Sequence, residues 1–214
     1  VLSGDGSDEV ASGYLYNFCA PSIDDLHNEA VRRVKEIHMY DGLRADRATS
    51  IHGLELRVPF LDSAFVDYYL SINPEFRKLD IRQMEKNLIR QSFEGYLPDE
   101  VLWRQKEAFS DGISSNEDSW FHTIQKYVDK LIPDEVFETE KTKYTHCQPK
   151  TKEALYYRNI FDELFGDRYS NVIKDIWMPM WTDTDDPSAR TLKNIYETDK
   201  SCTTDDELTH CSDI

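Results

Sequence analysis

Positive charge is what this chain has too little of. Its 25 lysines and arginines face 41 aspartates and glutamates, leaving a formal net charge of −16 over 214 residues. That balance excludes a nucleic-acid partner, because gripping a phosphate backbone takes a dense array of cations. The surplus acid reads as a solubilising surface. No apolar run approaches the ~20 residues of a membrane span, and no signal peptide is visible. Cysteine is sparse too: Cys19, Cys147, Cys202 and Cys211 lack a metal spacing. They are too few for a disulfide scaffold, so reduced thiols in a cytoplasmic setting are expected. The six histidines offer no i, i+4 metal pair and no Ser/His/Asp order. The acidic run from Asp183 to Asp186 lacks the glycine and terminal glutamate of a calcium loop.

Strand signals and internal repeats are also wanting. Val1-Leu2 reads as the end of a buried strand, and Leu56-Arg57-Val58 before Pro59 is the other extended candidate. With a strand already under way at Val1, the chain is expected to be part of a longer one whose upstream portion is missing. Helical spacing fills most of the remainder. Val10, Ala11, Tyr14 and Phe18 share one predicted face. Ser22 and Asp25 form a capping box before Ile23, Leu26, Ala30, Val34 and Ile37. Asp62 caps a helix carrying Phe65, Val66, Tyr69 and Leu70 that stops before Pro74. Leu88, Ile89, Phe93, Tyr96 and Leu97 make a face ended by Pro98. Trp120, Ile124, Tyr127, Val128 and Leu131 make another, ended near Pro133. Ala154, Tyr157, Phe161, Leu164 and Phe165 make the last, stopped at Gly166. Residues 133–150 read as an irregular excursion. From Thr198 onward the polar, acidic composition predicts a disordered tail (198–214) after a domain over 1–197.

What the sequence does have is a dense turn, Ser3-Gly4-Asp5-Gly6-Ser7-Asp8-Glu9. A strand, a glycine-rich turn and a helix start bring backbone N–H groups close to a phosphate. The carboxylates of Asp5, Asp8 and Glu9 beside phosphates call for a divalent cation between them, since bare acids would repel the ligand. The expectation is half of a magnesium–nucleotide site, with no second phosphate loop downstream.

That turn, then Leu43-Arg44-Ala45-Asp46-Arg47, then His52-Gly53-Leu54-Glu55-Leu56-Arg57-Val58-Pro59-Phe60-Leu61-Asp62, resemble the synthetase domain of asparagine synthetases. Trp103-Arg104-Gln105-Lys106-Glu107-Ala108-Phe109-Ser110-Asp111-Gly112 and Asp186-Pro187-Ser188-Ala189-Arg190 extend the resemblance, in order, to about residue 195. It implies an α/β, adenine nucleotide α-hydrolase-like (ATP pyrophosphatase) domain, of which this chain, itself predominantly α-helical, carries the carboxyl-terminal part. It also implies an upstream Ser-Gly-Gly-x-Asp-Ser phosphate loop, which Ser3 to Asp8 imitate without matching. The implied activity is ATP-dependent conversion of aspartate to asparagine through β-aspartyl-AMP. Nitrogen comes from glutamine, by way of an amino-terminal glutaminase domain, or from ammonia, and a homodimer is possible.

The same resemblance implies roles for single residues. Ser3 and Gly4 contact ATP, and Asp8 holds magnesium. Asp5 stands where many members have Glu and is tied to adenylate formation. It keeps the charge but retracts it by a carbon–carbon bond, ~1.5 Å. Lys106 is the phosphate-side lysine, an ammonium offered to the leaving pyrophosphate by a mobile loop between a Trp103 anchor and the turn-like Phe109-Ser110-Asp111-Gly112. Arg44 is tied to activity, whereas Arg47 and Arg57 suit pairing with neighbouring acids that pins helices together, and Arg190 takes no role. Glu9 suits a partner for the helix dipole. Two alternatives stand beside this: a related adenylating amide ligase such as a β-lactam synthetase, and an inactive helical remnant. By itself the 214-residue chain is expected neither to hydrolyse glutamine nor to make asparagine.

Overall fold

The computed structural model describes residues 1–106, 120–172 and 174–183. They fall into two compact units, one built from Val1–Lys106 with the segment that starts at Pro179, the other ending at Met178. The predicted disordered tail, the turn near Phe109 and Arg190 lie outside the described residues.

In the first unit the two extended candidates find each other. Leu2 and Arg57 form a parallel bridge, with Ser3 N–H donating to Arg57 O at 2.9 Å and Arg57 N–H to Val1 O at 2.8 Å. Among the described residues this is the only β pairing, and every other regular element is helical. α1 (Ser7–Val10) is a single turn. The predicted face running on through Tyr14 and Phe18 is broken, because Ser12 takes a left-handed backbone (φ 52°). Gly13 N–H then donates back to Asp8 O at 2.8 Å. The chain restarts as a short 3-10 helix, Leu15–Cys19.

α2 (Ile23–Glu36) begins as expected, with the Ser22 hydroxyl oxygen accepting from Asp25 N–H at 3.1 Å. Leu26, Ala30 and Ile37 are buried along it. α3 (Asp41–Ser50) has no buried residue and escaped the periodicity for that reason. α4 (Ser63–Ser71) is capped by Asp62, which accepts from Ala64 and Phe65 N–H at 3.0 and 3.2 Å. Val10, Ala11 and Tyr69 form the centre of the core, packed by Val34, Phe65, Val66, Leu88 and Ile89 among others. α5 (Asn87–Ser92) is shorter than the predicted face. Phe93, Tyr96 and Leu97 are exposed, because the helix ends at Phe93 and Gly95 turns at φ 78°. α6 (Asp99–Leu102) follows Pro98.

The second unit holds α7 (Trp120–Leu131), α8 (Asp134–Glu140) and α9 (Lys152–Phe165). α8 occupies part of the stretch expected to be irregular; Pro133 and the first-turn acids Asp134 and Glu135 are ordinary helix-start chemistry. α9 stops at Gly166 (φ 76°) as predicted. Its inward face is not the predicted aromatic one. Leu155 and Arg158 are buried, while Tyr157, Leu164 and Phe165 are exposed. Arg158 faces inward because its guanidinium meets the Tyr144 ring at 4.7 Å and Asp162 Oδ1 at 3.4 Å. No helix among the described residues is long and apolar enough to cross a membrane.

Candidate functional site

The Ser3–Glu9 turn is held by local geometry that explains its glycines. Gly6 sits at φ 91°, and a Cβ there would collide with the Leu61 side chain, so only glycine fits. A Cβ at Gly4, by contrast, would meet nothing within 4 Å; that face of the turn is open. The Ser3 hydroxyl donates to the Asp5 carboxylate, and Asp5 N–H donates to Ser3 Oγ at 3.3 Å. These two predicted site residues therefore form one small unit.

Asp8 is where separate predictions converge. Its Oδ1 lies 2.9 Å from the Lys86 ammonium and its Oδ2 3.5 Å from the Lys106 ammonium. All three side chains are about four-fifths buried, so the charges are only partly screened. Lys106 Nζ also stands 5.6 Å from the Tyr14 ring centroid, within cation–π range. Gly13 packs so closely that a Cβ would overlap Asp8 Oδ1. The anion-binding capacity of this corner thus lies in two ammoniums, since one turn of α1 makes too short a dipole for the expected helix-start contribution.

Behind Asp8 lies a buried polar network. Glu9, expected to be a dipole partner, is instead sealed in the interior at 3% exposure. It accepts a 2.5 Å hydrogen bond from the Tyr14 hydroxyl and lies 3.8 Å from Arg33 Nη2. Asp41 Oδ2 is 3.3 Å from the same hydroxyl and 3.7 Å from Arg33. Burial pushes the Glu9 carboxyl up from its ordinary range, and the charge of Asp41 adds to the effect. Burial, then the charges of Glu9 and Asp41, push the Tyr14 phenol up as well, so Tyr14 acts here as a hydrogen-bond donor and not as a base.

Arg44 joins this network at its outer end. It pairs with Asp41 Oδ1 at 2.6 Å while its side chain stays 72% exposed. It is linked to the site through Asp41. Arg47 and Arg57 pair with Asp46 and Glu55, their near neighbours in sequence, at 3.6 and 2.8 Å. Both pairs are exposed and join no separate helices, so they contribute little.

Sequence reasoning missed Lys86, Tyr14 and Arg33 as parts of the site, and placed Glu9 in the turn as a dipole partner where it is a buried acid. Tyr14 was assigned to an apolar helix face. Lys86 carried no signal at all: it reaches Asp8 from a left-handed backbone position (φ 58°) that a lysine sequence does not advertise.

Magnesium was expected at Asp8. Among the described residues no group of three or more His, Cys, Asp or Glu is arranged to hold a metal. One carboxylate with cations on both oxygens is not a cation site by itself. It does fit an ion that draws its other ligands from phosphate oxygens and water. Two ammoniums beside an open glycine face fit a polyphosphate.

The asparagine synthase family model matches residues 19–184. The chain is 50% identical over 196 residues to the glutamine-hydrolyzing asparagine synthetase of Gallus gallus, covering 91% of this chain and 35% of that protein. The enzyme of the same name from Cricetulus griseus is 47% identical over 203 residues, covering 94% and 36%. That from Homo sapiens is 46% identical over 194 residues, covering 90% and 34%. The chain therefore spans about a third of the length of these relatives.

Proposed function

The chain belongs to the asparagine synthase family, and from that membership we propose that it carries the ATP-dependent amide-ligase chemistry of an asparagine synthetase. Its substrates are aspartate and ATP, with nitrogen from ammonia or from glutamine through a glutaminase partner domain, in a cytoplasmic setting. The observation that carries the proposal is the pair of ammoniums, Lys86 and Lys106, converging on Asp8 beside the open Gly4 turn.

In the first step an oxygen of the aspartate side chain attacks the α-phosphorus. The bond to the bridging oxygen breaks, and pyrophosphate leaves with the electron pair. Negative charge grows on the phosphates, and Lys86 and Lys106 are the fixed positive charges available to meet it. Ser3 and Gly4 offer a hydroxyl and a side-chain-free approach to the nucleotide. When bound, magnesium adds positive charge at the phosphates, and Asp8 is the residue of this chain that would hold it. In the second step ammonia attacks the acyl carbon, AMP leaves and the new ammonium group loses a proton. Asp5, hydrogen-bonded to Ser3 at the mouth of the turn, is the carboxylate assigned to the first step, adenylate formation. Arg44 acts from a distance, holding Asp41 and through it Tyr14.

The test is Lys106→Ala in the intact protein, with ammonia as nitrogen source. Pyrophosphate release is expected to fall by about 10²- to 10³-fold, equivalent to ~3–4 kcal/mol of transition-state stabilisation. Glutamine hydrolysis should be unchanged. Pyrophosphate release within a few-fold of the parent would make Lys106 only a structural partner of Asp8 and remove the proposal's support.

A further inference from the structure

Lys106 is held by a device that phosphate chemistry does not require and that lies beneath it. Glu85 has no exposed surface. Its Oε1 accepts two hydrogen bonds: the backbone N–H of Lys106 at 3.0 Å, and Arg90 Nη2 at 2.6 Å. Arg90 reaches out from α5 in three directions. Its Nε donates to the Glu85 carbonyl at 2.8 Å, its Nη2 to the Glu85 carboxylate, and its Nη1 to the carbonyl of Leu102, the last residue of α6. The five residues from Leu102 to Lys106 are thus fastened at both ends, the carbonyl of the first to Arg90 and the N–H of the last to Glu85. The next residue after Glu85 is Lys86, whose left-handed backbone aims its ammonium at Asp8. Two consecutive residues therefore bring both cations to one carboxylate: Lys86 through its own side chain, Glu85 through the main chain of Lys106.

A buried carboxylate is costly unless it is paired and hydrogen-bonded. An ion pair with Arg90 alone would satisfy the charge anywhere in the core. What the pair does here is end on the N–H of Lys106, one of the two residues whose side chains are proposed to stand at the phosphates. We infer that Glu85 is a positioning residue for Lys106, fixing the main chain from which the Lys106 ammonium reaches the phosphates. The inference rests on the phosphate-side role proposed for Lys106. Glu85 touches no substrate and moves no proton; it restricts where one ammonium can go. A misplacement of about 1 Å at a catalytic group can cost on the order of 10²-fold in rate.

The conservative variants of Glu85 separate positioning from bulk stability. Glu85→Gln keeps the length and one accepting oxygen for the Lys106 N–H but removes the charge that Arg90 meets. Glu85→Asp keeps the charge but draws it back by one methylene, out of reach of that N–H. In the intact protein, with ammonia, aspartate and ATP, positioning predicts that kcat for pyrophosphate release falls about 10- to 100-fold in Glu85→Asp. The fall should be clearly smaller in Glu85→Gln, with KM for aspartate unchanged in both. In the Lys106→Ala background, Glu85→Asp should add less than a further two-fold loss, because its effect passes through the missing side chain. If Glu85→Gln is the worse of the two, or if Glu85→Asp multiplies the Lys106→Ala loss in full, Glu85 is a structural ion-pair partner only and the inference is wrong. Near-parental rates in both Glu85 variants, with Lys106→Ala inactive, would overturn the inference and leave the function proposed for the site intact. Near-parental rates in Lys106→Ala would overturn both.

Discussion

The two compact units bury charge for different ends. In the first, Glu29 is buried against Arg32 and Tyr16 away from the site, whereas Glu9, Arg33 and Glu85, also nearly inaccessible, each lie within one or two contacts of Asp8, Lys86 or Lys106. In the second, the buried charge is Arg158, which meets an aromatic ring and an acid on its own helix and serves the packing of α9. Desolvating a charge costs free energy in both places. Where the partners converge on the carboxylate proposed to serve the phosphates, loss of one should appear as lost rate. Where they close on themselves, loss should appear as lost stability.

Substitutions at four positions could break that contrast. The largest effect is expected at Asp5. Asp5→Asn should reduce pyrophosphate release about 10²-fold or more, because it removes the charge and the proton-accepting oxygen at nearly constant size. Asp5→Glu should retain or raise activity. The opposite order, with Asn active and Glu inactive, would make Asp5 a turn residue, since Asn suits tight turns and Glu does not. Next comes Arg158→Ala, which should lower folding stability by on the order of 3 kcal/mol by leaving Asp162 without its cation. Urea titration followed by fluorescence measures this, and kcat per folded molecule should stay within two-fold. A large fall in kcat would show that the second unit's buried charge also serves the chemistry.

Gly13→Ala is expected to cost about 1–3 kcal/mol through overpacking against Asp8. Unlike the Arg158 change, it should appear mainly as slower pyrophosphate release, because the added methyl pushes Asp8 away from Lys86. A pure loss of melting temperature would count against a functional role for this corner. The smallest effect concerns His27 on α2, whose Nδ1 lies 2.7 Å from Arg77 Nη2. Burial first, then the charge of Arg77, hold its pKa below the ordinary value. A depressed histidine means that the unfolded chain takes up protons first. Its contribution to stability is therefore complete above about pH 6.5 and is lost as pH falls through the lowered pKa. His27→Gln should flatten that acid limb slightly in denaturant titrations between pH 7 and 5, with no change in rate at pH 8.

Much of the local structure was legible because its causes lie within four residues. Ser22 and Asp62 cap α2 and α4 by reaching two or three residues ahead. Pro74, Pro98, Pro133 and Gly166 punctuate where their backbones oblige them to. The extended pieces at Leu2 and Arg57 were visible, and their pairing follows from having no other partner among the described residues. The site was legible only as separate parts. Ser3, Gly4, Asp5, Asp8, Arg44 and Lys106 could be nominated by motif, but the motif carried neither Lys86 nor Glu85.

The amino-acid order by itself determined the helical character, the caps and stops, and the glycine turn at Ser3–Glu9, because propensity, capping and φ limits act between near neighbours. Tertiary structure decided which face of α9 turns inward, that Ser12 breaks the first helix, and that Glu9 is interior. It also brought lysines 78 and 98 residues along the chain from Asp8 onto that one carboxylate. Those outcomes depend on which distant groups share the cost of burying a charge, and that sum exists only once the chain has folded.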